Sequence, residues 1–279
     1  MFSIGFIDYY LDEWHANNYP QWISEASGGE MAVTHAYAMA DSPQGGRSTA
    51  QWCKDMGVTR CGTIDEVIAC CDGLIVLSLD HAEMHEALCE KPLSSGKPVY
   101  VDKVFAPDLA AAKRIFAFAA KSGTPCYSSS ALRYAVEYAD LPKSDIRAVC
   151  SQGPGKFGTY SIHQIEPIVM LMRTPASRVM ALPAEKGVHL CIAFEDGRWA
   201  TMTCFEANSP FSMNLLISGE NRALKVESDF FKPFIRDLVE FFRDKRERVP
   251  HSETLEIIGL IEAGAKAIEK PYTWVECEK

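Results

Sequence analysis

Gly73-Leu74-Ile75-Val76-Leu77-Ser78-Leu79, bounded by Asp72 on one side and Asp80-His81 on the other, is the stretch that decides the fold. Its apolar run is almost continuous and too short for an ordinary helix. It reads as a strand buried on both faces, the kind found in parallel sheets covered by helices. Working outward, Ile4–Ile7 is a second apolar run that stops at Asp8, Ala32–Ala40 stops at Asp41, and Pro98–Val101 stops at Asp102-Lys103. Thr124-Pro125-Cys126-Tyr127 opens one more strand. Between the last two lies Asp108–Lys121, where Leu109, Ala112, Phe116 and Ala119 recur at helical spacing behind an acid suited to the first turn. Strand and helix alternate, which is the βαβ pattern of a doubly wound sheet.

Beyond residue 127 the pattern changes. Segments 145–152, 178–184, 188–195, 198–206, 212–218 and 222–227 read as strands, with hairpin turns at Glu195-Asp196-Gly197 and Ser218-Gly219-Glu220-Asn221. A helix is expected over Tyr160–Met172 and two more over 229–246 and 252–269. The predicted fold class is therefore α/β. A Rossmann-like doubly wound parallel sheet over 1–127 is followed by an α+β domain with a mainly antiparallel sheet over 128–279.

Composition narrows the function. At 279 residues the chain holds one large domain or two small ones, and 47% hydrophobic with 23% charged residues is the mix of a globular protein rather than a disordered one. The net charge of −9 argues against nucleic acid as a partner. No apolar run approaches the roughly 20 residues of a bilayer span, so no membrane partner is expected. Met1–Asp8 lacks a basic leader and reads as a strand, which predicts a cytoplasmic protein. The ten cysteines include no CxxC pair and no Cys–His spacing of a structural zinc site, so buried free thiols are expected and no metal site is assigned.

In a doubly wound sheet the ligand binds beyond the carboxyl ends of the strands. The residues there are Asp8, Asp41, Asp80 with His81, and Asp102 with Lys103. Asp41 is placed to hold a ribose hydroxyl pair; equally, Asp41-Ser42-Pro43 suits a helix cap or turn.

Several stretches resemble the Gfo/Idh/MocA family of nicotinamide-dependent oxidoreductases, the glucose–fructose oxidoreductase and inositol dehydrogenase family. They are Ala40-Asp41, Thr63–Val67, Asp72–Val76, His85, Gly96–Lys103, Ala119–Gly123, Ser161–Glu166 and Glu253–Ala267. The resemblance implies an NAD(P)-dependent oxidoreductase acting on a small molecule of the sugar or polyol class and assembling as a homo-oligomer. It implies Lys103 and His163 as catalytic groups, with Ile7, Asp8, Tyr10, Asp41, Leu79, Asp80, His81 and Asp102 around the cofactor. His15, Arg133, Tyr160 and Glu166 are placed on the substrate side. Asp41 would repel a 2′-phosphate, so NAD is preferred over NADP. The bland alternatives are an ion pair between Lys103 and Asp102 or Asp80, and a hydrogen-bonded helix histidine at His163.

The sequence departs from that family in its first turn. The three glycines of G-x-G-x-x-G fall on Asp8, Tyr10 and about Glu13. Those glycines let backbone amides approach a pyrophosphate; an acid there, ~4 Å from a phosphate charge, costs roughly 4 kcal/mol at an effective dielectric near 20. Val104 replaces the proline of the Glu-Lys-Pro signature, which predicts that its special turn is lost, and Thr159 stands where an acid precedes the catalytic histidine. Two alternatives follow. One is a redox-neutral enzyme, metal-assisted through Asp8, Asp12, Glu13, His15, His81 and His85, against which stands the simpler reading that Asp12 and Glu13 cap or solvate the first helix, where acids are favourable near the N-terminus. The other is a non-catalytic carbohydrate-binding relative, for which Tyr9, Tyr10, Trp14, Tyr19 and Trp22 offer aromatic faces.

Overall fold

The structure is a computed structural model that describes residues 1–43, 45–139, 141–142 and 144–278. The strands are β1 (Phe2–Asp8), β2 (Met31–Ala38), β3 (Thr59–Arg60), β4 (Gly73–Val76), β5 (Val99–Val101), β6 (Cys126–Tyr127), β7 (Ile146–Pro154), β8 (Ala176–Ala184), β9 (Gly187–Phe194), β10 (Trp199–Phe205), β11 (Ser212–Ile217), β12 (Glu220–Lys225) and β13 (Val275–Glu276). The helices are α1 (Trp14–Ala26), α2 (Thr49–Met56), α3 (Ile64–Cys70), α4 (His85–Leu93), α5 (Leu109–Ser122), α6 (Val136–Ala139), α7 (Phe157–Tyr160), α8 (Ile162–Met172), α9 (Phe231–Asp244) and α10 (His251–Glu269).

The chain folds as two units. The first comprises Met1–Ser129 and Lys232–His251. Its sheet has the order β3-β2-β1-β4-β5-β6, with every pair parallel. The order reverses between β1 and β4, which makes the carboxyl edge beside those two strands the topological switch point. Ile4–Asp8 and Gly73–Val76 are buried throughout, as strands covered on both faces must be. The predicted strand through Leu79 stops its ladder at Val76. Ser78 (φ 126°) and Asp80 (φ 60°) leave the extended region and turn the chain across the sheet edge.

Residues 232–251 return to the first unit, where the sequence pattern assigned everything after 127 to the second domain. The reason is the apolar face of α9. Phe234 lies 5.9 Å from the Tyr19 ring and 5.6 Å from Tyr100, and Phe242 lies 5.8 Å from Phe2. Gly73 permits this packing: a Cβ there would sit 2.7 Å from the Phe242 ring.

The second unit comprises Ser130–Phe231 and Ser252–Lys279. Its sheet has the order β12-β11-β7-β10-β9-β8-β13, antiparallel except for β7 with β10. Along β9 and β10 buried residues alternate with more open ones, so one face of the sheet is covered. In α8 every residue but His163 is buried.

The Lys103–Val104 peptide is cis. All ten cysteines are free, and Cys70 is exposed rather than buried.

Candidate functional site

The site is built at the carboxyl edge of the first unit's sheet. The end of β1, the short connection after it and the first turn of α1 place Asp8, Glu13 and His15 there, and the residues just past β5 add Asp102 and Lys103. Asp102 is fully buried, and its Oδ2 lies 2.6 Å from His15 Nδ1. Tyr19, one helical turn beyond His15, stacks on the imidazole at 4.9 Å and 16°. The Tyr100 hydroxyl donates to the Ser129 carbonyl at 2.8 Å and reaches Asp102 Oδ1 at 3.4 Å. Burial pushes the Asp102 carboxyl up, but the His15 imidazole and its hydrogen bond, with Lys103 nearby, bring it below its ordinary value. Lys103 is 7% exposed, and its Nζ lies 3.7 Å from Asp80 Oδ1.

Two further acids are pushed the other way. Asp8 is 1% exposed, and its two oxygens have no partner in hydrogen-bond geometry among the described residues. Burial raises it well above the usual carboxylate range, Glu13 and Asp102 raise it further, and the adjacent Tyr9 and Tyr10 amides offset only part of this. Glu13 is raised to about 7, chiefly by burial, with His15 and the hydrogen bonds from Ala16 and His15 pulling against it. One edge thus holds an acid raised well above its ordinary range, an acid that changes charge near neutrality, and an acid held below its ordinary value beside an imidazole. Such separation of titration is a feature of acid–base sites.

Glu13 also caps α1. Its Oε2 accepts the His15 amide at 2.7 Å and its Oε1 accepts the Ala16 amide. These are first-turn amides of the kind that a Rossmann turn offers to a pyrophosphate. Tyr9, Tyr10 and His81 pack edge to face at the switch point, with centroids 5.1–6.0 Å apart. A carboxylate on the helix N-terminus and three rings over the strand ends do not fit a dinucleotide pyrophosphate in the ordinary seat.

The other predicted residues fall as follows. Ile7 is buried in β1, and Leu79 is half-buried in the loop after β4. Asp41 is exposed beyond β2, and its Oδ1 accepts the Thr49 amide at 2.6 Å. The proposed ring of metal ligands does not assemble. Asp12 is held by the Arg47 guanidinium (2.7 Å) and Asn17 (3.1 Å), and the fully buried His85 bonds the carbonyls of Leu77 (3.0 Å) and Phe105 (3.1 Å). His81 lies 3.0 Å from Glu83.

In the second unit His163 Nδ1 lies 2.7 Å from Ser130 Oγ, and its ring meets Tyr160 and Phe211 edge-on at 5.5 and 5.8 Å. Glu166 Oε2 accepts the Ser130 amide at 2.6 Å. Arg133 bridges Glu166 (3.5 Å) and Glu253. Tyr160 is 41% exposed. Sequence reasoning missed Ser130 as the partner of His163, Arg47 as the partner of Asp12, and the pairing of His15 with Asp102; in each case the partners lie too far apart in sequence to share a motif.

Taken whole, the fold is that of known dehydrogenases. GenD2 from gentamicin A biosynthesis, in complex with NAD, matches with a TM-score of 0.81 at 14% identity, covering 100% of this chain and 97% of that one. Myo-inositol 2-dehydrogenase from Lactobacillus plantarum matches at 0.78 and 12% identity, over 99% of each chain. The WlbA dehydrogenase from Bordetella pertussis, in complex with NADH and UDP-GlcNAcA, also matches at 0.78 and 12%, over 99% of each. No family model and no curated protein matches the sequence. The fold that the Gfo/Idh/MocA resemblance implied is thus present. No helix among the described residues is long and apolar enough to cross a membrane.

Proposed function

We propose that this chain is an enzyme, an oxidoreductase in class, acting on a sugar, polyol or related hydroxy compound, with its proton-handling groups at the carboxyl edge of the first unit's sheet. The observation that carries this reading is the buried Lys103, 3.7 Å from Asp80 and next in the chain to the Asp102 that holds His15. An ammonium group so placed polarises a substrate oxygen, and a carboxylate-held imidazole has the fixed orientation that proton transfer needs. His163 with Ser130 is the corresponding pair of the second unit.

Of the solved structures similar in fold, GenD2 is in complex with NAD and WlbA with NADH. The first turn here is filled by Glu13 and the aromatic trio, so no step is assigned to a dinucleotide. That same observation favours a second reading: redox-neutral proton transfer on the same class of compound. A proton leaves the carbon beside a carbonyl and is returned to the resulting enediol, and no electrons leave the substrate.

One experiment separates the readings. A panel of sugars, polyols and their keto derivatives is incubated in D2O with the protein, with and without NAD or NADP. Growth of reduced cofactor supports the oxidoreductase reading. Deuterium entering a carbon-bound position without cofactor supports the redox-neutral one. Turnover unchanged in Lys103→Met overturns the assignment of this site in either case, and no turnover of any panel member overturns the enzyme reading. In solution the protein is expected to self-associate through the open face of the second unit's sheet, where Trp199, Phe205 and Leu216 are exposed.

A further inference from the structure

We propose that Cys126, Glu247 and His251 form a binding site for one divalent cation of the zinc class. All three belong to the first unit, and Cys126 lies in β6 at the edge of its sheet, separated from β1 by β4 and β5. One ligand atom from each, the Cys126 sulfur, a Glu247 carboxylate oxygen and an imidazole nitrogen, lie within 4.8 Å of one another. Cys126 Sγ is 3.5 Å from His251 Nε2, and Glu247 Oε1 is 3.0 Å from the same nitrogen. A tetrahedral ion with metal–sulfur bonds of ~2.3 Å and metal–nitrogen or –oxygen bonds of ~2.0 Å sets neighbouring ligand atoms roughly 3.3–3.6 Å apart. The two measured edges are close to that figure, and rotation of the exposed Glu247 side chain closes the third.

The donor set is chemically right. One thiolate, one imidazole and one carboxylate are the ligands that zinc takes, and the two negative charges neutralise the ion. Phe116 stacks on the His251 ring at 3.9 Å and 20°, which fixes the imidazole plane. An open cleft of about 600 Å³ reaches the cluster, with Thr124, Lys245 and Arg246 on its wall. A fourth position is therefore accessible to water or to an anion drawn by the two cations. Without an ion, His251 Nε2 lies 2.9 Å from the Cys126 carbonyl and shares its proton with that oxygen or with Glu247. Burial and Glu247 push the Cys126 thiol up to about 12 in that state. Metal binding releases the thiol proton to solvent and moves the imidazole proton to Nδ1, leaving sulfur and Nε2 to the ion. Since Cys126 stands just before Ser129, the last residue of its segment, and His251 ends the other, the ion would tie together the two stretches through which the chain leaves this unit.

The test is titration of the full chain, stripped with chelator and reduced, with Co2+ and then Zn2+. The expected result is one equivalent of cobalt with tetrahedral visible bands and a thiolate charge-transfer band, displaced by zinc. Cys126→Ser should abolish the charge-transfer band. His251→Gln, at a half-exposed position less able to disturb folding, should weaken affinity at least about tenfold. No charge-transfer band in the unsubstituted protein, or a band that survives Cys126→Ser in a folded variant, overturns the proposal: the cluster is then a hydrogen-bonded network or another thiol is the ligand.

Discussion

The His15 imidazole and the Asp102 carboxylate lie 2.6 Å apart, both almost wholly shielded from solvent. His15 belongs to the first turn of α1 and Asp102 follows the end of β5, on opposite sides of the sheet's switch point, and the same His15 gives its backbone amide to Glu13 at 2.7 Å. One residue thus ties the helix cap to the buried carboxylate beside Lys103. The first turn has been rebuilt around side chains where the related fold uses bare glycine backbone.

Removing the charge from that pair should be costly. Asp102→Asn keeps the shape but leaves the imidazole without its carboxylate in a dry setting. Losing a hydrogen bond to a charged group costs about 1.5–3 kcal/mol. Denaturant unfolding should show a midpoint shift of that size with unchanged m value. A change below ~1 kcal/mol would mean that the pair is not formed in solution.

Glu13 gives the protein a pH signature. Its carboxyl titrates near 4.5 in the unfolded chain and at about 7 in the folded one. Between those values the folded chain binds a proton that the unfolded chain has lost. Its stabilising contribution is therefore complete below pH 4.5 and disappears as pH rises through 7. The shift is worth on the order of 3 kcal/mol. Asp8, raised by burial, acts in the same direction, while Asp102, lowered by His15 despite its burial, withdraws stability only as the solution becomes strongly acidic. Unfolding free energies measured from about pH 5 to 8 should fall with pH, and Glu13→Gln should flatten that slope.

Much of this was legible in the sequence, and the rest was hidden for a physical reason. The apolar run at 73–79 and the acids ending each strand located the parallel sheet and its carboxyl edge, because a strand buried on both faces has few alternatives. The strand-like segments such as 188–195 and 198–206, with the hairpin turn between them, located the mainly antiparallel sheet. What the sequence did not show is which side chains meet. Asp8, Tyr10 and Glu13 were visible as replacements for glycine, and a cap of the first helix by Asp12 or Glu13 was readable from their place ahead of it; that Glu13 makes it, on the His15 and Ala16 amides, while Asp12 turns to Arg47, is a matter of local geometry. The return of α9 to the first unit rests on aromatic contacts between segments more than a hundred positions apart, and no periodicity reports those.

Restoring the glycines should restore an anion seat. In a variant carrying Asp8→Gly, Tyr10→Gly and Glu13→Gly, the His15 and Ala16 amides lose their internal acceptor and the strand ends lose a ring. The missing cap costs about 1 kcal/mol. In exchange, NADH fluorescence should saturate at a lower cofactor concentration than it does with the unsubstituted protein. If the unsubstituted protein binds NADH as tightly as the variant, Glu13 and Tyr10 do not obstruct the seat.

Gly73 tests the packing of α9. A Cβ at this position would lie 2.7 and 2.8 Å from Phe242 ring atoms and 2.9 Å from Phe2. Gly73→Ala should destabilise by ~1–3 kcal/mol through overpacking. Combining it with Phe242→Leu should cost less than the sum of the two single changes, because the smaller side chain makes room. Simple additivity would place α9 away from β4.

Arg133 tests the second unit. Its guanidinium, 14% exposed, stands between Glu166 at 3.5 Å and Glu253, and Glu166 also accepts the Ser130 amide. Arg133→Met keeps the bulk of the side chain but leaves two carboxylates facing each other without their cation. The expected cost near neutral pH is about 3–5 kcal/mol. Protonating the carboxylates removes the uncompensated charge, so the deficit relative to the unsubstituted protein should shrink in acid. Urea unfolding of both proteins near pH 7 and in mild acid reads this directly. A deficit that stays the same at both pH values would assign the loss to packing around the arginine stem and not to the charge that it neutralises.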